Sequence, residues 1–177
     1  MAEGWLPYPG TGIVVNAEVN VLAVLLLLAE LSPAQAAEPV GASVSVAVAP
    51  DLLTRYDAIR VALVNDKLDG VTSGARELAA ASPGDPSLAA AASALAAAPD
   101  LATARVTFGE ISRLLVLRFS ATTPTPKGVV YFCPMFQGYA WWIQPKSGIA
   151  NPYMGQSMPE CGEEKSLKAA AKAAATP

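Results

Sequence analysis

Two cysteines and two methionines in the C-terminal third of the chain are the residues best suited to chemistry. Cys133 precedes Met135 by two residues, and Met158 precedes Cys161 by three. The 177-residue chain has only these two cysteines, four methionines in all, and no histidine. Thiolate and thioether ligands without imidazole suit a soft ion such as Cu(I) or Ag(I). The pattern therefore predicts a soft-metal site formed by Cys133, Met135, Met158 and Cys161.

A disulfide between Cys133 and Cys161 is the competing interpretation. In an oxidising compartment two cysteines of one small domain often pair, and a bridge that closes a loop of this length contributes roughly 3 kcal/mol to stability. Two thiolates that share an ion, a disulfide, and a pair of free thiols all remain open at this point. A pair that binds metal when reduced could also release it on oxidation.

The two methionines also have a packing interpretation, since methionine fills irregular gaps and contacts aromatic rings, and tryptophans lie close to them in sequence. The order Cys-Pro-Met favours a ligand role for Met135, because Pro134 restricts the backbone between the two sulfur-bearing side chains. Met158 and Cys161 would share one face if they lay on a helical turn. That geometry would suit a shared ion.

Enzymatic chemistry has little support in the sequence. Without histidine there is no ordinary Ser-His or Cys-His pair. No glycine-rich phosphate loop is present, and the Cys-x-x-Cys spacing of thiol-disulfide oxidoreductases is absent from the sequence. The sequence therefore predicts a binding protein that is not an enzyme.

Charge excludes one class of partner. The full chain has a formal net charge of −3, but three of its fifteen acidic residues (Glu3, Glu18 and Glu30) precede a predicted processing site. Twelve acidic and twelve basic residues remain after that site. Because no stripe of Lys or Arg appears, nucleic-acid binding is not expected.

The N-terminal residues 1–36 resemble a signal segment. An apolar run over residues 19–31, followed by the small-residue site Ala34-Gln-Ala36, predicts export to the periplasm or secretion, with a mature chain that starts near Ala37. The run is too short for a comfortable membrane span. The first basic residue is Arg55, so the usual positive region before the run is missing. This leaves two alternatives: a wrongly assigned start, or an uncleaved apolar N-terminus that folds into the core.

Apolar residues recur at helical spacing in four segments after a linker over residues 37–50. Predicted N-caps mark the starts of these segments at Asp51, Asp66, Asp85 and Asp100. The strongest repeat belongs to the fourth segment, at Leu101, Ala104, Phe108, Ile111, Leu115 and Phe119. Four helices of similar length joined by short turns predict a mainly α protein, with an up-and-down antiparallel four-helix bundle over residues 51–120.

The composition changes after the predicted bundle. Residues 121–164 form a segment rich in Cys and Met that we expect to pack on the bundle. Its β-branched and aromatic runs at 129–133 and 140–144 are separated by Gly138 and predict a short β-hairpin. Residues 165–177 are a low-complexity Ala/Lys tail, which we expect to form a fraying helix, because Leu167 is its only large apolar residue.

The C-terminal motif resembles a small bacterial envelope domain family. The pattern is Tyr-x-Cys-Pro-Met, then aromatic residues, then Ile-x-Asn-Pro-Tyr-x-Gly-x-x-Met-x-x-Cys-Gly. The matching positions are Tyr131, Cys133, Pro134, Met135, Trp142, Ile149, Asn151, Pro152, Tyr153, Gly155, Met158, Cys161 and Gly162. The helical part is similar too, at Tyr56, Ile59, Ala62, Leu63, Asp66, Arg105, Phe108, Ile111 and Ser112.

This family also occurs at the C-terminus of periplasmic adaptor subunits of heavy-metal efflux pumps. The resemblance covers residues 51–162 and implies the handling of copper or a related metal in the cell envelope, by binding and transfer. It implies an efflux-pump component as a partner. Met154 falls at a position where the family pattern needs only a bulky apolar residue, so no ligand role is carried onto it.

Overall fold

The computed structural model describes residues 50–176. The predicted signal segment 1–36 lies outside this range, as does the predicted linker apart from its last residue, Pro50. The described chain contains five α-helices and three short strands. They are α1 Pro50–Val64, α2 Leu68–Ala80, α3 Pro86–Ala96, α4 Leu101–Ala121, β1 Val129–Phe132, β2 Trp141–Gln144, β3 Glu163–Lys165 and α5 Leu167–Ala174, with one turn of 3-10 helix at Gly155–Ser157 between β2 and β3.

The protein is mainly helical, as predicted. Helices α1 to α4 each pack on the next in the chain, α5 packs on α4, and β2 also packs on α4. Helix α4 therefore contacts the other helices, the sheet and α5. The finer expectation, an up-and-down four-helix bundle, stays a prediction. Within residues 50–176 no helix combines the length and the apolar character that crossing a membrane requires.

Two of the four predicted caps form locally. The Asp85 carboxylate accepts a hydrogen bond from the Leu88 amide at 3.1 Å, and that of Asp100 accepts one from the Thr103 amide at 2.7 Å. Each satisfies an amide that the helix itself leaves without a partner. Asp51 instead lies in the first turn of α1, where its carboxylate pairs with Arg55 at 2.7 Å.

The prediction that Asp66 caps α2 is wrong. Lys67 occupies that position, with no side-chain cap. Asp66 has a left-handed backbone (φ 56°), and its carboxylate forms an ion pair with Arg105 of α4. The Asp66 carboxylate therefore binds the distant Arg105 guanidinium and does not cap the start of α2.

The helical repeat predicted the core correctly. The apolar stripe of α1 and that of α4 face each other, and the rings of Tyr56 and Phe108 stack with centroids 5.0 Å apart. Both residues have no exposed surface, and Phe119 has almost none. Aromatic contacts of this kind contribute about 0.5–1.5 kcal/mol beyond the burial itself.

The predicted hairpin is present, and it is part of a larger sheet. Strands β1 and β2 pair antiparallel with Val130 opposite Ile143, and β3 pairs antiparallel on the other edge of β1, which gives the order β2-β1-β3. The third strand has the sequence Glu-Glu-Lys and all three residues are exposed. It lacks the apolar alternation that marks a strand, so the sequence could not reveal it.

A buried polar network joins the helices to the sheet. The Tyr56 hydroxyl lies 2.7 Å from Ser112 Oγ of α4 and accepts a hydrogen bond from the Ile143 amide at 3.4 Å. The Tyr153 hydroxyl donates to the Trp141 carbonyl at 2.7 Å. Burial raises the pKa of Tyr56 and that of Tyr153, so both phenols stay protonated and available as donors.

The C-terminal tail packs more firmly than the sequence suggested. Ser166 caps α5 by accepting a hydrogen bond from the Ala169 amide at 3.2 Å. Ala170 and Ala174 are buried, and Arg113 of α4 donates to the Ala174 carbonyl at 3.2 Å. Small side chains allow this close approach, so a helix with a single large apolar residue still has a face to bury.

The segment between β2 and β3 is docked on α1 and α4 at Gly155. This glycine has φ 54°, and a Cβ there would overlap both the Asp66 carboxylate and the Arg105 guanidinium. Arg105 also donates to the Pro152 carbonyl at 3.2 Å, and the Gln156 amide donates to Asp66 at 3.3 Å. Only glycine fits the conformation and the space together.

We expect Gly155→Ala to destabilise the protein by more than about 2 kcal/mol, because the left-handed conformation alone costs an L-residue about 1–2 kcal/mol and the Cβ also displaces the ion pair. Urea denaturation measures the change. Gly138→Ala (φ 105°, with no atom near its Cβ) shows the cost of a positive φ without a contact, and Gly84→Ala, with free space and no such φ, is the neutral control. A loss for Gly155→Ala no larger than that for Gly84→Ala would contradict the expected effect of the conformation and of the contact with Asp66 and Arg105.

Candidate functional site

The two cysteines meet on the sheet. Their sulfur atoms lie 3.7 Å apart although 28 residues separate them, and both are free thiols. Cys133 directly follows β1, and its amide donates to the Ala140 carbonyl at 3.0 Å, which continues the pairing of β1 with β2. Cys133 is fully buried, whereas Cys161 is partly exposed. The pair therefore has one inner and one outer sulfur.

Cys161 is held by a turn that Asn151 fastens from two sides. The Cys161 amide donates to the Met158 carbonyl at 3.2 Å, which closes the turn. The Asn151 backbone N–H donates to the Pro159 carbonyl at 2.8 Å, and the Asn151 side-chain Nδ2 donates to the Cys161 carbonyl at 2.5 Å. The outer cysteine is thus fixed by its backbone.

The prediction that Met158 and Cys161 lie on a helical turn is wrong. The 3-10 helix ends at Ser157, and Met158 has φ −149° and ψ 69°. The next residue is Pro159, which disfavours helical conformation in the residue before it. The two side chains therefore come from a turn and do not share a helical face.

The structure brings the cysteines together but leaves the predicted methionine ligands at the surface. Met135 is 64% exposed and Met158 is 39% exposed. Each lies two or three residues from its cysteine, so both flank the pair along the chain. Met154, to which no ligand role was assigned, is partly buried against the core. The packing interpretation thus applies to Met154 better than to the two candidate ligands.

Aromatic rings form the inner wall of the site. Trp142 is fully buried, stacks on Tyr131 at 5.4 Å and meets Tyr153 edge-on at 6.0 Å. A Cβ on Gly162 would lie 2.8 Å from Trp142 Cη2, so no side chain fits beside Cys161 on this side. The chain at Gly162, directly after Cys161, therefore lies against the indole.

The outer thiol has a raised pKa. Burial is the main cause of the raised pKa, and the hydrogen bond and the charge interaction with the neighbouring Cys133 add to it. Cys161 is therefore protonated at neutral pH. A metal ion must displace this proton in order to bind, and an alkylating agent reacts only with the fraction of Cys161 that has lost it.

The residues present fit a soft metal ion in part. Two metal–sulfur bonds of about 2.3 Å at the tetrahedral angle of a four-coordinate site place the sulfurs about 3.8 Å apart, close to the 3.7 Å spacing here. A site with two or three ligands has wider angles, so the sulfurs would move apart to hold the ion. In the range 50–176 no third His, Cys, Asp or Glu joins the two cysteines to complete a metal site. A third ligand would therefore be a thioether, a backbone carbonyl or a group from outside residues 50–176.

Sequence reasoning found the cysteine pair but missed the residues that hold it. In the sequence Asn151 stood out as a position of the motif, and in the structure its side chain accepts hydrogen bonds from the Tyr153 and Met154 backbone amides at 2.8 and 3.1 Å. Its donor bond to Cys161 was not anticipated. Arg60 of α1 donates to the Ala150 carbonyl at 3.0 Å, which was also missed.

The signal that could have revealed these contacts is the motif itself. An asparagine followed by proline often bonds its own backbone, but a fully buried asparagine must satisfy its amide nitrogen as well.

Comparison with known protein families, curated proteins and solved structures found no significant match to this chain. The interpretation of the site therefore depends on its own geometry.

We expect Cys161 to react slowly with iodoacetamide at neutral pH, with a rate that rises to a midpoint above the ordinary cysteine pKa of about 8.5. Mass spectrometry of the reduced full chain over a pH series measures this rate. In Cys133→Ser the midpoint should move down only in part, because burial remains the larger cause. A midpoint at or below the ordinary value would contradict the assigned environment.

Proposed function

We propose that this chain is an exported protein that binds a soft metal ion, Cu(I) or Ag(I), between Cys133 and Cys161 and takes part in metal handling or efflux in the cell envelope. The observation that carries the proposal is the contact of the two free sulfurs at 3.7 Å, with Cys161 only partly buried. A soft ion is the partner that thiolates select. Met135 or Met158 supplies a third ligand from the surface.

The location and the partner rest on the sequence. The signal-like segment 1–36 supports a periplasmic or secreted protein. The motif that resembles the adaptor subunits of heavy-metal efflux pumps supports an efflux-pump component as the partner. The balanced charge after the predicted processing site supports the exclusion of nucleic acid.

The helical part serves the site as its frame in this proposal. We retain the up-and-down order of α1 to α4, because each helix packs on the next and the connections are short. The frame contacts the site through Arg60, Arg105 and Ser112. Metal binding is then confined to the segment after residue 128.

A second candidate function is a helical interaction module clamped by a Cys133–Cys161 disulfide. The same sulfur contact supports it, because the atoms need to approach from 3.7 Å to about 2.05 Å to bond. Each thiol would lose one proton and one electron to an oxidant such as an envelope disulfide. Thiol counting on protein isolated without reductant separates the two functions: a bridge that resists mild reductant, with no metal uptake after reduction, favours the module.

We expect the reduced full chain to bind about one Cu(I) under anaerobic conditions, and Cys133→Ser or Cys161→Ser to weaken binding more than about 100-fold, since even the outer partners of metal ligands contribute about 10–100-fold. Competition with a chromogenic Cu(I) chelator measures the affinity. Because each thiol that becomes a thiolate ligand releases one proton, affinity should rise about tenfold per pH unit near neutrality for each proton released, and about 100-fold when both thiols lose theirs. Equal, weak binding by the wild type and by both variants would refute the metal function.

The third ligand is tested by single leucine substitutions of the methionines. We expect either Met135→Leu or Met158→Leu to lower Cu(I) affinity by about tenfold, within the range for removal of one supporting contact. Met154→Leu is the matched control and should bind as the wild type does. If neither exposed methionine matters, the ion is completed by a backbone carbonyl or by a group outside the described residues.

A further inference from the structure

Asn151 is the best-connected polar residue around the thiol pair. It is fully buried, and its side-chain oxygen accepts from two backbone amides while its side-chain nitrogen donates to the Cys161 carbonyl at 2.5 Å. The opposite orientation of the amide would place its NH2 group against two N–H donors. The contacts therefore fix which end of the amide faces Cys161.

The backbone on either side of Asn151 is held by the helical frame. Arg60 of α1 donates to the Ala150 carbonyl at 3.0 Å, and Arg105 of α4 donates to the Pro152 carbonyl at 3.2 Å. The Arg60 guanidinium is itself buried and fixed by Asp57 at 2.6 Å. Two charged donors from different helices thus fix the residue that in turn fixes Cys161.

We propose that Asn151 is the positioning residue of the thiol pair: its donor bond to the Cys161 carbonyl holds the outer sulfur against Cys133 and so sets the affinity of the pair for a soft metal ion and for its own disulfide. Cys161 itself lies outside every regular helix and strand of the described chain, two residues before β3 begins at Glu163. The pairing of β3 with β1 fixes the chain after Cys161, and the bonds from Asn151 fix the turn before it. The metal half of this inference rests on the proposed function, and the disulfide half does not.

The decisive variant is Asn151→Asp, which keeps the shape and the acceptor oxygen but faces the Cys161 carbonyl with a second acceptor. Gln156→Glu is the matched control. It makes the same amide-to-carboxylate change in the same segment. The Gln156 side chain donates to the Val64 carbonyl at 2.7 Å and not to the backbone of Cys161. Asn151→Ser removes the long donor without adding charge, so agreement between Asn151→Asp and Asn151→Ser separates position from charge.

Two quantities are measured on the full chain. The thiol–disulfide equilibrium of the pair is followed in glutathione buffers, and Cu(I) affinity is followed by chelator competition. We expect both Asn151 variants to weaken disulfide formation by about tenfold or more, a shift of about 30 mV towards a less negative potential. Cu(I) affinity should fall by a similar factor. Gln156→Glu should change either quantity by less than about twofold.

Thermal unfolding is recorded for every variant, and the two equilibria are compared well below each midpoint. Folded Asn151 variants with unchanged disulfide potential and unchanged Cu(I) affinity would overturn the inference, since the residue would then support only the fold. Failure of both variants to fold would overturn it for the same reason. If wild type binds no Cu(I) but Asn151→Asp still shifts the disulfide potential, the proposed function fails and the positioning role stands.

Discussion

The need to satisfy buried backbone groups in the irregular segment after β2 is the constraint on which the site depends. A buried carbonyl without a partner costs about 1–3 kcal/mol, and this segment has no regular ladder to supply partners. Arg60 and Arg105 provide them from the helices, at the carbonyls of Ala150 and Pro152. The segment can therefore be dense and irregular only because two charged side chains from the frame reach into it.

The helices and the sheet are consequently one cooperative unit around the thiols. The Tyr56 and Tyr153 hydroxyls bind backbone groups of β2, and both lie within hydrogen-bond distance of Ser112 on α4. Each of these groups is buried, so removing one leaves another without a partner, which is costlier than the loss of an exposed bond. Geometry at the cysteines is thus determined by residues nearly a hundred positions away in sequence.

The sequence predicted what local rules control. The apolar repeat located the helices and the buried rings of Tyr56 and Phe108, and the caps at Asp85 and Asp100 followed from spacing alone. The segment rich in cysteine was also singled out correctly as the place where both sulfurs lie. These features depend on neighbours within about four residues or on the pattern of one segment.

What the sequence could not predict depends on distant partners. Asp66 was predicted to cap α2 because the residues next to it in sequence do not show that its carboxylate pairs with Arg105. The exposed strand Glu163–Lys165 has no strand pattern, since its pairing with β1 is set by the chain reversal before it. The donor bond from Asn151 to Cys161 likewise requires knowledge of how the segment folds back.

In the proposed function, protons, metal ions and oxidants would compete for the same two sulfurs, and the geometry would affect each competitor differently. The contact at 3.7 Å removes the cost of bringing the sulfurs together, which favours metal and disulfide alike. The raised pKa of Cys161 opposes both, because each requires the thiolate. With Cys161 protonated, disulfide formation is slow, and an ion displaces the Cys161 proton only if it binds thiolate strongly. Held in this way, the two sulfurs favour a thiophilic ion over a hard one without any further selecting group.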